Sequence, residues 1–105
     1  MGSVKIEFLW FDDCPNRREA RRLLHEVMAD KGITQPIVDV DLTDPALAND
    51  YRFPGSPTIR VDERDIEPNF TDPGDYTPRC RLYLTPKGLV GVPERSWIEA
   101  ALTNR

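Results

Sequence analysis

The sequence predicts an α/β domain: a four-stranded mixed sheet with helices on both faces, in the order β-α-β-α-β-β-α. Three observations predict it. Val4, Ile6, Phe8 and Trp10 alternate with more polar neighbours, the period of a strand. Ala20, Leu23, Leu24, Val27 and Met28 then recur at helical spacing. Later apolar runs alternate again, separated by proline- and glycine-bearing breaks. At 105 residues the chain has room for one core, so a single domain over 1–105 is expected.

The first strand covers 4–11 and is broken by Asp12-Asp13-Cys14-Pro15. A helix is expected from Pro15 to about Lys31, with Pro15 at its first position and Gly32 as its stop. Residues 36–42 form a second strand, and Asp44-Pro45 reads as an N-cap and first-turn proline opening a short helix through Tyr51. Phe53-Pro54-Gly55-Ser56-Pro57 forces a break before a third strand, Thr58 to Asp62. Residues 63–79 lack period and should run as a long irregular excursion. Cys80, Leu82 and Leu84 alternate with Arg81 and Tyr83, which predicts a fourth strand with the apolar row inward. Pro86-Lys87-Gly88 turns the chain, and Glu94–Leu102 form the last helix. The first β-α-β unit must be parallel, while the last two strands pair antiparallel.

Composition excludes several functions. A net charge of −4 argues against nucleic acid, because phosphate binding needs a basic face. The cluster Arg17, Arg18, Arg21 and Arg22 is interrupted by Glu19 and reads as a solvated helix face. Two distant cysteines and the single His25 make neither a secreted disulfide framework nor a metal site, and no cofactor is expected. His25 reads as a surface histidine. No membrane span and no leader are visible, so a reducing cytoplasm is the expected setting.

Cys14 is the one candidate chemical group. It precedes a helix-opening proline, where backbone N–H groups and the helix dipole favour a thiolate. Arg17, one turn on, would add to this, while Asp12 and Asp13 oppose it.

A strand, then Cys14-Pro15, an amphipathic helix, and Ser56-Pro57-Thr58 entering a later strand together resemble the thioredoxin superfamily. The resemblance runs from Val4 to Leu102. It implies a cis Ser56–Pro57 bond and a Pro57 packed against Cys14. It also implies supporting roles for Pro15, Asn16, Arg17, Ser56 and Thr58, with Thr58 offering backbone contacts to an extended substrate. The segments Phe11–Asn16, Phe53–Val61 and Cys80-Arg81-Leu82-Tyr83 look like a subgroup of small bacterial thioredoxin-like proteins sometimes placed beside alkylmercury lyases. Some of its members carry selenocysteine where Cys14 stands, which implies nucleophilic or redox work there. The second cysteine of thioredoxins is replaced by Arg17. That leaves monothiol exchange or peroxide reduction on a thiol, disulfide or peroxide substrate.

Two functions fit these residues. One is a thiol-dependent oxidoreductase using Cys14. The other is a non-catalytic module binding a peptide, a protein partner or a soft metal ion in the same groove, with Trp10, Phe11, Tyr51 and Phe53 along it. Cys80 is either core filler or a resolving thiol. An antiparallel fourth strand beginning at Cys80 would put it roughly 13–17 Å from the Pro57 end. A Cys14–Cys80 disulfide, which needs α-carbons within about 7 Å, is therefore not expected.

Overall fold

The computed structural model describes residues 4–103, so the ends of the expected 1–105 domain lie outside the described residues. The apolar alternation of the N-terminal segment produces β1 (Ile6–Trp10), which lies at the centre of a four-stranded mixed sheet. Its order is β2-β1-β3-β4, with β2 (Ile37–Asp41) parallel to β1 and β3 (Thr58–Val61) antiparallel to it. In register, Ile6 faces Val61 and Leu9 faces Thr58.

Helix α1 (Arg17–Asp30) supplies the β1-to-β2 crossover. Its C-terminus closes as a Schellman motif, with Gly32 at φ +68 and the Ile33 N–H donating to the Met28 carbonyl at 2.9 Å. Helix α2 (Pro45–Asp50) starts as its sequence demands: Asp44 accepts from the Ala46 N–H at 2.9 Å and Pro45 opens the first turn. The last helix is α3 (Arg95–Thr103).

Because successive strand residues face opposite sides, β1 serves two cores. Ile6 and Phe8 join Ala20, Leu24, Val27 and Met28 of α1, Ile59 and Val61 of β3, and Ile98 and Leu102 of α3. Leu9 turns the other way, against Leu42, Ala48 of α2 and Phe53. The molecule is thus α/β, with α1 and α3 on one face and α2 on the other. Among the described residues no helix is long and apolar enough to cross a membrane.

Four expectations need correction. First, α1 begins at Arg17, so Pro15 is outside the helix: the Asn16 carbonyl is the first acceptor, taking the Ala20 N–H at 3.1 Å. Second, the fourth strand of the sheet is the two-residue β4 (Arg64–Asp65), not the segment from Cys80. Asp62 and Glu63, at φ +51 and +70, turn the chain directly back after β3, as a tight two-residue hairpin requires. The irregular excursion therefore begins at Ile66, which is itself buried in the larger core. Third, the later strand is β5 (Tyr83–Thr85), paired antiparallel with β6 (Gly88–Val90) in a separate two-stranded sheet. The element order is β-α-β-α-β-β-β-β-α.

The fourth correction concerns direction of facing. The period-2 reading of 80–85 holds, but the faces are reversed. Arg81, Tyr83 and Thr85 are buried, while Cys80, Leu82 and Leu84 are exposed. Buried partners decide it: Arg81 meets two carboxylates, and the Tyr83 hydroxyl finds a buried carbonyl.

Candidate functional site

Three segments converge at the end of the sheet where β1 stops and β3 starts. The first is 11–16. After Trp10 the chain folds back on itself, with the Cys14 N–H donating to the Phe11 carbonyl at 3.2 Å. Cys14 ends up 5% exposed, two residues ahead of Asn16, the N-cap of α1. The Asn16 side chain makes no capping hydrogen bond. Its amide packs instead on Gly91, where an added Cβ would lie 2.0 Å from Nδ2. The first N–H groups of α1 are therefore left without a side-chain acceptor, beside the segment that carries Cys14. Arg17 does not extend outward: its guanidinium stacks on the Trp10 ring, 4.4 Å from the centroid.

The second segment is 53–58. Phe53 through Ile59 is buried without interruption, the Ser56–Pro57 peptide bond is cis, and Ser56 Oγ accepts from the Phe11 N–H at 3.4 Å. This bond ties the cysteine-bearing turn to the start of β3. Thr58 is fully buried, and its hydroxyl donates to the Gly55 carbonyl at 2.6 Å. Its side chain is therefore turned into the core and its hydroxyl is used within the chain. Phe53 is likewise core and lines no groove.

The third segment is 79–83. Ser56 pairs with Cys80 in an isolated parallel bridge: the Ser56 N–H donates to the Arg79 carbonyl at 2.8 Å, and the Arg81 N–H donates to the Ser56 carbonyl at 2.9 Å. Cys80 therefore lies one strand spacing from Ser56, roughly 5 Å, and not at the far end of the sheet. The expected separation failed because the excursion from Ile66 carries the chain back before Cys80 begins. No disulfide forms, and Cys14 and Cys80 are both free thiols, the first buried and the second exposed. Ser56 thus has Phe11 on one side and Cys80 on the other, and both cysteines belong to this end of the molecule. The backbone groups of Ser56 are occupied by the chain's own residues, so no added strand can pair there.

Behind these segments lies a network that the sequence reading missed. The Arg81 guanidinium forks onto Asp65 at 2.7 and 3.0 Å, and reaches Glu67 and the Thr58 hydroxyl at 2.8 Å each. The Arg81 side chain is 7% exposed and that of Asp65 3%. Arg81 also lies over the rings of Tyr83 and Phe70, at 4.3 and 5.1 Å. Burial opposes the charge on Arg81, but the carboxylates of Asp65 and Glu67 outweigh it and hold the guanidinium above its ordinary pKa. The Tyr83 hydroxyl donates to the Pro57 carbonyl, and burial holds its pKa well above the usual phenol range. Gly55 fits because it lacks a side chain: its φ is +121, and a Cβ there would meet Arg81 Cβ at 2.9 Å. The signal available in the sequence is the Asp65/Glu67 pair, whose two carboxylates both suit the single guanidinium of Arg81.

The arrangement holds two thiols at one sheet end and fixes the intervening Ser56–Pro57 segment from three sides. Among the described residues no group of three or more metal-ligating side chains is brought together. No protein-family model, curated protein or solved structure matches this chain.

Proposed function

We propose that the protein is a thioredoxin-like thiol–disulfide oxidoreductase of the cytoplasm in which Cys14 and Cys80 form the working pair. The observation that carries this reading is the placement of both cysteine-bearing segments on either side of Ser56, one through the Phe11 N–H and one through the Cys80 bridge. The sheet order β2-β1-β3-β4, with the first pair parallel and the rest antiparallel, is compatible with a thioredoxin-like fold.

In this reading the Cys14 thiolate attacks one sulfur of a substrate disulfide, forming a mixed disulfide and releasing the first substrate thiol. The two cysteine-bearing segments flank Ser56 about two strand spacings apart, roughly 10 Å, so they close on each other first. The exposed Cys80 thiolate then attacks the Cys14 sulfur, forming a Cys14–Cys80 bond and releasing the second thiol. An external thiol reductant restores both cysteines. Cys80 thereby takes the resolving role that Arg17 cannot fill.

The test is catalysis of bis(2-hydroxyethyl) disulfide reduction by dithiothreitol. Wild type is expected to exceed the uncatalysed rate, Cys14→Ser to abolish the excess, and Cys80→Ser to reduce it. Equal rates for wild type and Cys14→Ser would overturn the reading. The burial of Cys14 favours a second reading, a binding module without turnover, and that same result would select it.

A further inference from the structure

The row that faces solvent on β5 and β6 is apolar. Leu82 is 61% exposed, Leu84 69% and Leu89 67%, and Leu84 and Leu89 are direct cross-strand partners. Their hairpin is a two-stranded sheet with no third strand on either edge among the described residues. Its opposite face is satisfied by the Arg81 and Tyr83 contacts, so the leucines are not needed for the packing beneath. Exposed leucines singly are ordinary, but two paired on one small sheet, with Leu82 just before its first strand, form a patch of the kind that marks an interaction surface.

Charge limits what the patch fits. From Arg79 to Val92 the chain contains no Asp or Glu, and all 18 acidic residues lie elsewhere. At the hairpin tip Lys87 is exposed, and its ammonium makes no ion pair among the described residues. At the other end of the row stands the exposed Cys80. The surface therefore runs from a thiol, across three leucines, to a free cation.

We propose that this hairpin docks an extended polypeptide segment whose alternate side chains are apolar and which carries an acidic residue beyond them. The two-residue period of such a segment matches the leucine row, and the unpaired edges can take it as an added strand. Its carboxylate meets Lys87 while its other end reaches Cys80. A lipid surface is the poorer match, since anionic membranes recruit clusters of several basic residues and this chain has net charge −4. A second copy is also the poorer match, because neither face would supply the acid that Lys87 lacks. That the docked segment is a redox substrate rests on the thiol reading above, whereas docking itself does not require the thiols.

The experiment uses a fluorescein-labelled, cysteine-free decapeptide of alternating threonine and leucine ending in two glutamates, and its twin ending in two lysines. Anisotropy titrations are run on the Cys14→Ser/Cys80→Ser protein as well as wild type, so binding is read separately from redox activity. Both proteins are expected to bind the glutamate peptide saturably and more tightly than the lysine peptide. Leu84→Glu should weaken it by at least about tenfold, with Leu84→Ser and Leu89→Ser each weakening it less. Lys87→Glu should reverse the preference between the two peptides. Absence of saturable binding, or leucine variants equal to wild type with unchanged circular dichroism, overturns the proposal. So does a wild-type dimer in sedimentation equilibrium that Leu84→Glu dissociates, or binding to phosphatidylserine vesicles in place of the peptide.

Discussion

Replacing Arg81 with methionine removes the one cation from a buried cluster and leaves the Asp65 carboxylate, 3% exposed, without its counter-ion. The guanidinium makes two hydrogen bonds to Asp65, one to Glu67 and one to Thr58, and stacks on Tyr83. Breaking a buried pair from one side costs about 3–5 kcal/mol, since the remaining charge is desolvated and unpaired. Native stability for a domain of this kind is about 5–15 kcal/mol, so the variant should be marginal. With a urea slope of about 1.5 kcal/mol/M, the unfolding midpoint is expected to fall by roughly 2–3 M at unchanged slope. Removing both partners is less harmful than removing one, so Asp65→Leu in the Arg81→Met background should recover much of the loss. A single-variant loss below about 1 kcal/mol, the range of surface pairs, would refute the reasoning. A double variant no more stable than the single one would refute it too.

Gly55→Ala places a Cβ against Arg81 and forces alanine to φ +121, so a loss of about 1–3 kcal/mol is expected, with faster hydrogen exchange at the Ser56 and Arg81 amides that hold the Cys80 bridge. Tyr83 has a raised folded pKa, so its contribution is complete below about 10, the unfolded phenol value, and is lost as pH rises above it. There the unfolded chain has given up a proton that the folded chain keeps, and stability should fall by up to about 1.4 kcal/mol per pH unit. Tyr83→Phe should flatten that alkaline slope in urea titrations between pH 9 and 11 (about one unit either side of the phenol value), and an unchanged slope would place its cause elsewhere. Gly91→Ala collides with the Asn16 amide, and the displaced side chain becomes free to cap α1. Slower Cys14 alkylation by iodoacetamide is expected, and an unaltered rate would separate Asn16 from the thiol site.

Much of this arrangement was legible in the residues. The alternation of β1, the stripe of α1, the Asp44-Pro45 start of α2 and the break at Phe53–Pro57 all carry local signals that their own neighbours enforce. The hairpin at Asp62-Glu63 was not legible, because it uses two positive-φ residues with no glycine to announce it. Missing that turn displaced the fourth strand, and with it the position of Cys80. The facing of 80–85 was misread for another reason. A two-residue period defines two faces but does not say which is buried. Here the choice falls to Asp65 and Glu67, which lie outside any periodic run and attract Arg81 inward. The leucine row is left outside as a consequence of that polar match.

The central claim is that Cys14 and Cys80 act on each other, and disulfide mapping after limited oxidation tests it most directly. Reduced protein is treated with one equivalent of glutathione disulfide, quenched with acid, and digested for mass spectrometry. A Cys14–Cys80 linkage within the monomer is expected in wild type, and glutathione trapped on Cys14 in Cys80→Ser. Glutathione resting on Cys80 with Cys14 unmodified, or cysteine linkages only between protomers, would contradict it.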